Sequence, residues 1–392
     1  LTQRFAASLV WLILASASIG VAAVLPVLPV FAAEHGADPR FIGWMVASYS
    51  AANLICLPIG GWLSDRLGRK PVMAIGLIAY GLASLGFLLT LDLRLFIALR
   101  AIEGIAAACV VPAAMAYAAD HAPTGEQGRV LARMTAAENV GILLGPMIGG
   151  VLAEYLGVGS PFWVLTVLCG VCLLLLTRLH EQQRPHAAKP TARPTEPWWQ
   201  QIRLALGLGL AGRNWASGFS IGMYEVAWPL FMLSLGSTIW QISLSWTLFA
   251  VPCILLSPLV GRWIDRMGGQ RLAVWGAAIS PVVTVCYPLA AGPWSIIALA
   301  ALDGVGVAIA YPAYTALLMQ VGPEGVRGRV IGWIGTVRTI GVMTASLVVP
   351  AVYARSPAGC FNMTAAVLAA GVLWLAISLR LDARKGGEPL PA

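Results

Sequence analysis

Charge is scarce in this chain: only 11% of its 392 residues are Asp, Glu, Lys or Arg. A soluble domain carries about 25%. With 59% hydrophobic residues and a mean hydropathy of +0.80, too little polar surface remains to face water, and lipid must cover much of the molecule. A soluble chain of this length would form roughly two or three domains; this one divides better into spans of about 20 residues joined by short loops. Histidine is rarer still. The four (His35, His121, His180, His186) lie in or near loops and assemble no catalytic or metal set, which counts against a polytopic membrane enzyme. No Gly-x-x-x-x-Gly-Lys-Ser/Thr string occurs, so ATP hydrolysed in this chain is excluded as a power source. The seven cysteines (Cys56, Cys109, Cys169, Cys172, Cys253, Cys286, Cys360) sit in or at the edge of apolar runs, leaving no loop framework for disulfides. Cys169 and Cys172 have CxxC spacing but neither a histidine nor a second pair beside them. No metal and no cofactor is expected. The first apolar run lacks a persuasive small-residue cleavage site and reads as a span, not a signal peptide.

The charge that is present is patterned. Lys and Arg cluster at Arg66, Arg69 and Lys70, at Arg129 and Arg133, and between Arg178 and Arg203. They recur at Arg262, Arg266 and Arg271, at Arg327 and Arg329, and from Arg380 to Lys385, while the intervening loops hold only Arg40, Arg94 and Arg355. A net charge of +8 could suit nucleic acid, but this alternation is the positive-inside bias of a membrane protein. It places both termini and the centre of the chain in the cytoplasm, with no nucleic-acid partner, and a bacterial inner membrane is the expected location. Apolar runs cover 5–30, 41–63, 71–90, 94–118, 127–153 and 161–179, then 204–233, 238–261, 271–291, 294–319, 328–353 and 358–380. An all-α polytopic protein with twelve transmembrane helices is expected. Its parts are an N-terminal six-helix bundle (1–180), an X-Pro-rich cytoplasmic linker (181–202) and a C-terminal six-helix bundle (203–392). Trp198 and Trp199 would anchor the end of the linker at the lipid surface.

The two halves are copies. Gly61-Trp62-Leu63-Ser64-Asp65-Arg66-Leu67-Gly68-Arg69-Lys70 has its counterpart 200 positions later in Gly261-Arg262-Trp263-Ile264-Asp265-Arg266-Met267-Gly268. The same offset carries Glu103-Gly104 onto Asp303-Gly304, Pro112-Ala113 onto Pro312-Ala313, and Gly128-Arg129-Val130 onto Gly328-Arg329-Val330. Duplicated hydrophobic units related this way are the mark of a secondary transporter with its solute site between the repeats.

The ten-residue turn resembles the G-x-L-a-D-R-x-G-R-K loop signature of the major facilitator superfamily, and the spans and termini agree over nearly the whole chain. That resemblance implies two six-helix bundles around a mid-membrane cavity lined by spans one, four, seven and ten. It also implies a cytoplasmic gate built from Asp65, Arg66, Gly68 and Arg69, with the degraded second copy at Asp265 and Arg266. Asp65 would reach the eleventh helix, near Arg327, where a carboxylate at a helix N-terminus gains about 0.3–1 kcal/mol. In the fifth span Gly141, Gly145 and Gly149 recur every fourth residue, a smooth face for close helix contact, and Pro146 bends the helix. With Gly150 they resemble the G-x-x-x-G-P-x-x-G-G string of the superfamily's antiporters, which implies export. Arg100 in the fourth span matches the R-x-x-Q-G string of its drug–proton antiporters, while Glu103 replaces the glutamine.

Ionisable residues inside spans are functional candidates by default. Arg100 with Glu103 at i+3, Glu138 and Glu225 are the candidates for proton coupling; Arg213, Asp303 and Arg338 are further buried charges. Candidate solute-binding residues are Tyr224, Glu225 and Trp228 (a carboxylate flanked by rings), Tyr311 and Tyr314, Asn53, Asn139 and Arg338. Each has an alternative role in packing or folding. The expectation is a monomeric, proton-coupled exporter of small organic compounds whose partners are solute, protons and lipid. The alternatives are an exporter of a single metabolite such as a siderophore or sugar, and a membrane enzyme.

Overall fold

A computed structural model describes residues 3–123, 125–179 and 202–384. The linker with Trp198 and Trp199 therefore falls, up to residue 201, outside the described residues. Among the described residues the chain is helical without strands. In the first repeat α1 (Gln3–Val24) and the short α2 (Leu28–Glu34) are followed by α3 (Pro39–Leu67), α4 (Arg69–Leu89), α5 (Leu93–Asp120), α6 (Gln127–Leu156) and α7 (Ser160–Thr177). The second holds α8 (Leu204–Ser234), α9 (Ile239–Leu255), α10 (Ser257–Met267), α11 (Gly269–Cys286) with a 3-10 turn at Tyr287–Leu289, α12 (Pro293–Leu318), α13 (Glu324–Arg355) and α14 (Pro357–Arg384).

Local chemistry sets the boundaries. Asp38 caps α3 by accepting a hydrogen bond from the Phe41 amide (2.7 Å), and Pro39 follows at the first helical position, where no amide donor is needed. Asp92 caps α5 through the Arg94 amide (2.9 Å). Gly68 (φ 99°) and Gly268 (φ 84°) reverse the chain between α3 and α4 and between α10 and α11, a backbone region that glycine enters without steric cost.

Among the described residues, ten helices are long and apolar enough to cross a membrane. The pair α9 and α10, bent by 55° at a short break, makes an eleventh. The twelfth expected span is α8, which at 31 residues has the length but is diluted by Arg213, Asn214 and Glu225.

The duplication is visible in how helices touch. Gly104 and Gly304 lie so close to the Tyr49 and Phe249 carbonyls that neither site has room for a Cβ. Gly76 packs on Cys109 and Val110 of α5, and Gly276 packs on Ile309 and Ala310 of α12. The glycine face of α6 meets α1: Gly141 abuts Ser18, Gly145 abuts Ala22 and Gly149 abuts Ala23. In the second repeat the matching crossing has glycines on both helices, with Gly218 and Gly222 against the Arg338 and Val342 carbonyls and Gly341 against that of Trp215. Phe87 and its counterpart Tyr287 each centre an aromatic cluster. Phe87 lies 5.1 Å from both Phe96 and Phe162, and Tyr287 lies 4.7 Å from Trp228 and 5.8 Å from Phe361. Two compact units result. Pro229–Thr247, the end of α8 and the start of α9, groups with the helices of the first repeat, and the rest of the second repeat forms the other unit.

Candidate functional site

In the first turn Arg69 joins two carboxylates. Its guanidinium reaches back across the Gly68 reversal to Asp65 at 2.7 Å and to Asp120, at the end of α5, at 3.3 Å, and donates to the Ser64 hydroxyl at 3.0 Å. Arg66 lies over the Trp62 ring, 4.4 Å from its centroid, and Lys70 donates to the Leu179 carbonyl at 2.8 Å. The sequence reading placed Asp65 and Arg69 in one device but missed Asp120, which is 51 residues from Arg69. At the offset of 200, Arg69 and Asp120 become Gly269 and Gln320. The second turn has thus lost both charges that pin the first. Its Asp265 and Arg266 are exposed.

In α5, Arg100 donates to Glu103 at 2.7 Å. The two residues are 3% and 1% exposed, so this pair is wholly desolvated. Burial of that kind is tolerated when the charges compensate each other and is severe when one is removed. The Arg100 guanidinium also stacks on Tyr49, 4.5 Å from the ring centroid, and the Tyr49 hydroxyl lies 3.5 Å from that of Tyr80. Asn53 donates to the Gly104 carbonyl (3.2 Å) and so ties α3 to α5. One carboxylate oxygen of Glu103, Oε1, has no hydrogen-bond partner.

The corresponding carboxylate of the second repeat, Asp303, is 2% exposed and held differently. The Ser280 hydroxyl donates to it at 2.6 Å and the Tyr224 hydroxyl at 2.9 Å, Tyr287 adds a third hydroxyl, and Arg213 faces the same group. The sequence carried a signal for this site in the equivalence of Glu103 and Asp303, but the hydroxyls come from α8 and α11, far away in the chain.

The remaining candidates fall into two sets. Tyr224 and Trp228 stand edge to face at 5.3 Å, and Trp228 is sealed at 3% exposure between Tyr224, Tyr287 and Phe361. Tyr314 is half-buried and donates to the Leu210 carbonyl at 3.4 Å. Glu138 and Glu225 are half-buried, whereas Asn139, Arg338 and Tyr311 are exposed. Downstream on α6, Pro146 lies buried within the helix, Gly150 lies against Ser243, and the Glu154 carboxylate accepts from the Ile239 amide at the start of α9 (2.9 Å). Thr247 donates to the Leu143 carbonyl at 3.2 Å. These contacts belong to one unit, because the start of α9 packs with the first repeat. Nothing in the sequence singled out Glu154. Among the described residues, no three His, Cys, Asp or Glu side chains gather as metal ligands.

Comparison with known proteins extends the likeness to the whole chain. The family model described as Major Facilitator Superfamily matches residues 10–213 and again 210–392. The multidrug resistance protein MdtG of Enterobacter lignolyticus is 26% identical over 380 residues, which is 94% of this chain and 90% of that protein. The quinolone resistance protein NorA of Staphylococcus aureus is 34% identical over 136 residues, 35% of each chain. Among solved structures, an auto-inhibited POT family peptide transporter superposes with a TM-score of 0.78 at 15% identity, covering 96% of both chains. At that identity the likeness speaks for the fold alone.

Proposed function

The chain belongs to the Major Facilitator Superfamily, a family of membrane transporters, and from that premise we propose that it is a proton-coupled exporter of small organic compounds. The halves 1–180 and 203–392 would rock about a central cavity, with both termini and the Asp65 and Asp265 turns on the cytoplasmic face of a bacterial inner membrane. The efflux direction rests on the full-length likeness to a multidrug resistance protein and on the Gly-Pro-Gly string of α6.

One observation carries the coupling. Carboxylates at matching repeat positions, Glu103 and Asp303, are sealed inside membrane helices at 1% and 2% exposure, one against an arginine and the other in a ring of hydroxyls. A carboxylate in such a place changes its charge by taking up or releasing a proton, and any rearrangement that opens the Arg100–Glu103 pair invites that exchange. Glu138 and Glu225 are half-buried alternatives. The Asp65–Arg69–Asp120 cluster is the gate element. It holds the α3–α4 turn to the end of α5, and its rupture would free the turn when the transporter changes state.

The test is uptake into inverted membrane vesicles driven by an imposed pH gradient, with a panel of labelled organic cations, anions and neutral compounds. Gradient-dependent accumulation of several unrelated compounds is expected. Accumulation of one compound alone would favour a dedicated metabolite exporter. Accumulation that ignores the gradient would end the antiport reading.

A further inference from the structure

The two copies of the repeat part company around the second turn. In the first copy α3 runs unbroken to Leu67, and Arg69 pins the turn to Asp65 and Asp120. In the second the counterparts of the pinning Arg69 and Asp120 are Gly269 and Gln320, and the corresponding helix is divided into α9 and α10 with a 55° bend. Where the clamp is missing, α10, α11 and α12 enclose a groove of about 420 Å³, lined by Trp263, Met267, Leu272, Trp275, Ile279 and Ile309. The counterparts of the two tryptophans in the first copy are Leu63 and Ile75, so the aromatic walls belong to the second copy alone. Trp275 is 74% exposed.

The surroundings of the groove are cationic. Trp263 and Met267 are one turn apart on α10, and Arg262 and Arg266 form the adjoining stripe. Arg271 is one turn before Trp275 on α11, on the same face and on the side of the turn. All three arginines are exposed, and among the described residues none is in an ion pair. The acid in this segment is Asp265, so the group keeps a net positive charge. An apolar slot in membrane helices, walled by tryptophan and topped by arginine, matches a phospholipid in its order of tail, interface and headgroup.

We propose that this groove holds an acyl chain of an anionic phospholipid whose phosphodiester headgroup is met by Arg262, Arg266 and Arg271, and that the lipid does for the second turn what the Arg69 clamp does for the first. The lipid comes from the leaflet that the turns face. A headgroup bridging α10 and α11 would tie the ends of these two helices together across the Gly268 reversal. The inference does not depend on what the transporter carries or on its proton coupling.

Two measurements test it. In the first, the purified protein is released from nanodiscs of phosphatidylglycerol and phosphatidylcholine, and the lipids it retains are identified by native mass spectrometry. Wild type should keep phosphatidylglycerol in preference. Arg271→Gln should weaken that retention about fivefold, the effect of one arginine at an anionic surface. Trp275→Ala, at an exposed position, should weaken retention of both lipids. Equal retention of the two lipids by wild type, or retention unmoved by Arg271→Gln, would overturn the lipid site. In the second, transport in proteoliposomes with and without phosphatidylglycerol is compared between wild type and Gly269→Arg/Gln320→Asp, which restores the ion pair of the first copy at a position with room for a side chain. Wild type should need the anionic lipid, and the double variant should transport alike in both membranes. A double variant that folds, shown by its thermal unfolding, and keeps the lipid requirement would remove the stand-in role.

Discussion

Arg100 and Glu103 show most directly what burial does to a charge in this protein. Glu103→Gln would strand a desolvated guanidinium, and removing one partner of a buried pair costs about 3–5 kcal/mol. Its thermal unfolding in detergent should fall well below wild type, whereas Arg100→Met/Glu103→Leu should recover most of the loss without restoring gradient-driven transport. A double variant less stable than Glu103→Gln would contradict this account of the pair. Asp303→Asn should behave otherwise, because the amide oxygen can still accept from one of the Ser280 and Tyr224 hydroxyls while its NH2 donates to the other, whose hydroxyl turns to accept. Little stability should be lost, while solute accumulation in inverted vesicles should stop following the pH gradient. The Arg100–Glu103 pair was legible in the sequence because its members are three residues apart on one helix. The hydroxyl ring of Asp303 was not, since Tyr224 and Ser280 lie 79 and 23 residues away and only tertiary packing brings them together.

Among the helices, close contact through small residues decides what can be changed. A valine at Gly145 would drive its side chain into Ala22 and the backbone of α1, and overpacking of this kind costs about 1–3 kcal/mol. Gly145→Val should lower folded yield and unfolding temperature, while Gly128→Ala, with open space around its Cβ position, should change neither. Gly68→Ala should cost about 1 kcal/mol because its φ of 99° lies where side chains are strained, again read from thermal unfolding. The glycine face of α6 was legible from its four-residue period, and most helix ends fell within a few residues of the apolar runs. Hydropathy reports composition and is blind to direction, so two features escaped it. One is the separation of α2 from α1 around Pro26 and Pro29. The other is the bend between α9 and α10, near Pro252 and Pro258.

For the molecule as a whole, the repeat was the strongest signal in the chain, and it survives in three dimensions as paired glycine contacts, paired turns and paired buried acids. It also exposes what differs between the copies, such as the clamp lost at Gly269 and Gln320. The sidedness of the protein is open to a direct check. Cysteines introduced at Arg66 and Arg266 should react with an impermeant maleimide in inverted vesicles and not in intact cells. Labelling of either one from outside would reverse the proposed topology.

The polarity of α8 reaches back to how the protein is made. A charge near the middle of a helix raises its insertion free energy by about 2.5–3.5 kcal/mol, and α8 carries Arg213 and Glu225. The contacts that compensate come late in synthesis: Asn214 donates to the Ile334 carbonyl (2.8 Å), 120 residues downstream, and Gly218 and Gly222 dock on α13. A ribosome that has only just finished α8 therefore presents the translocon with a segment lacking its permanent neighbour, and the second bundle must enter the bilayer cooperatively, after α13 has been translated. A topology reporter fused shortly after Ser234 would then report mixed orientations, and the same reporter placed beyond Arg355 would not.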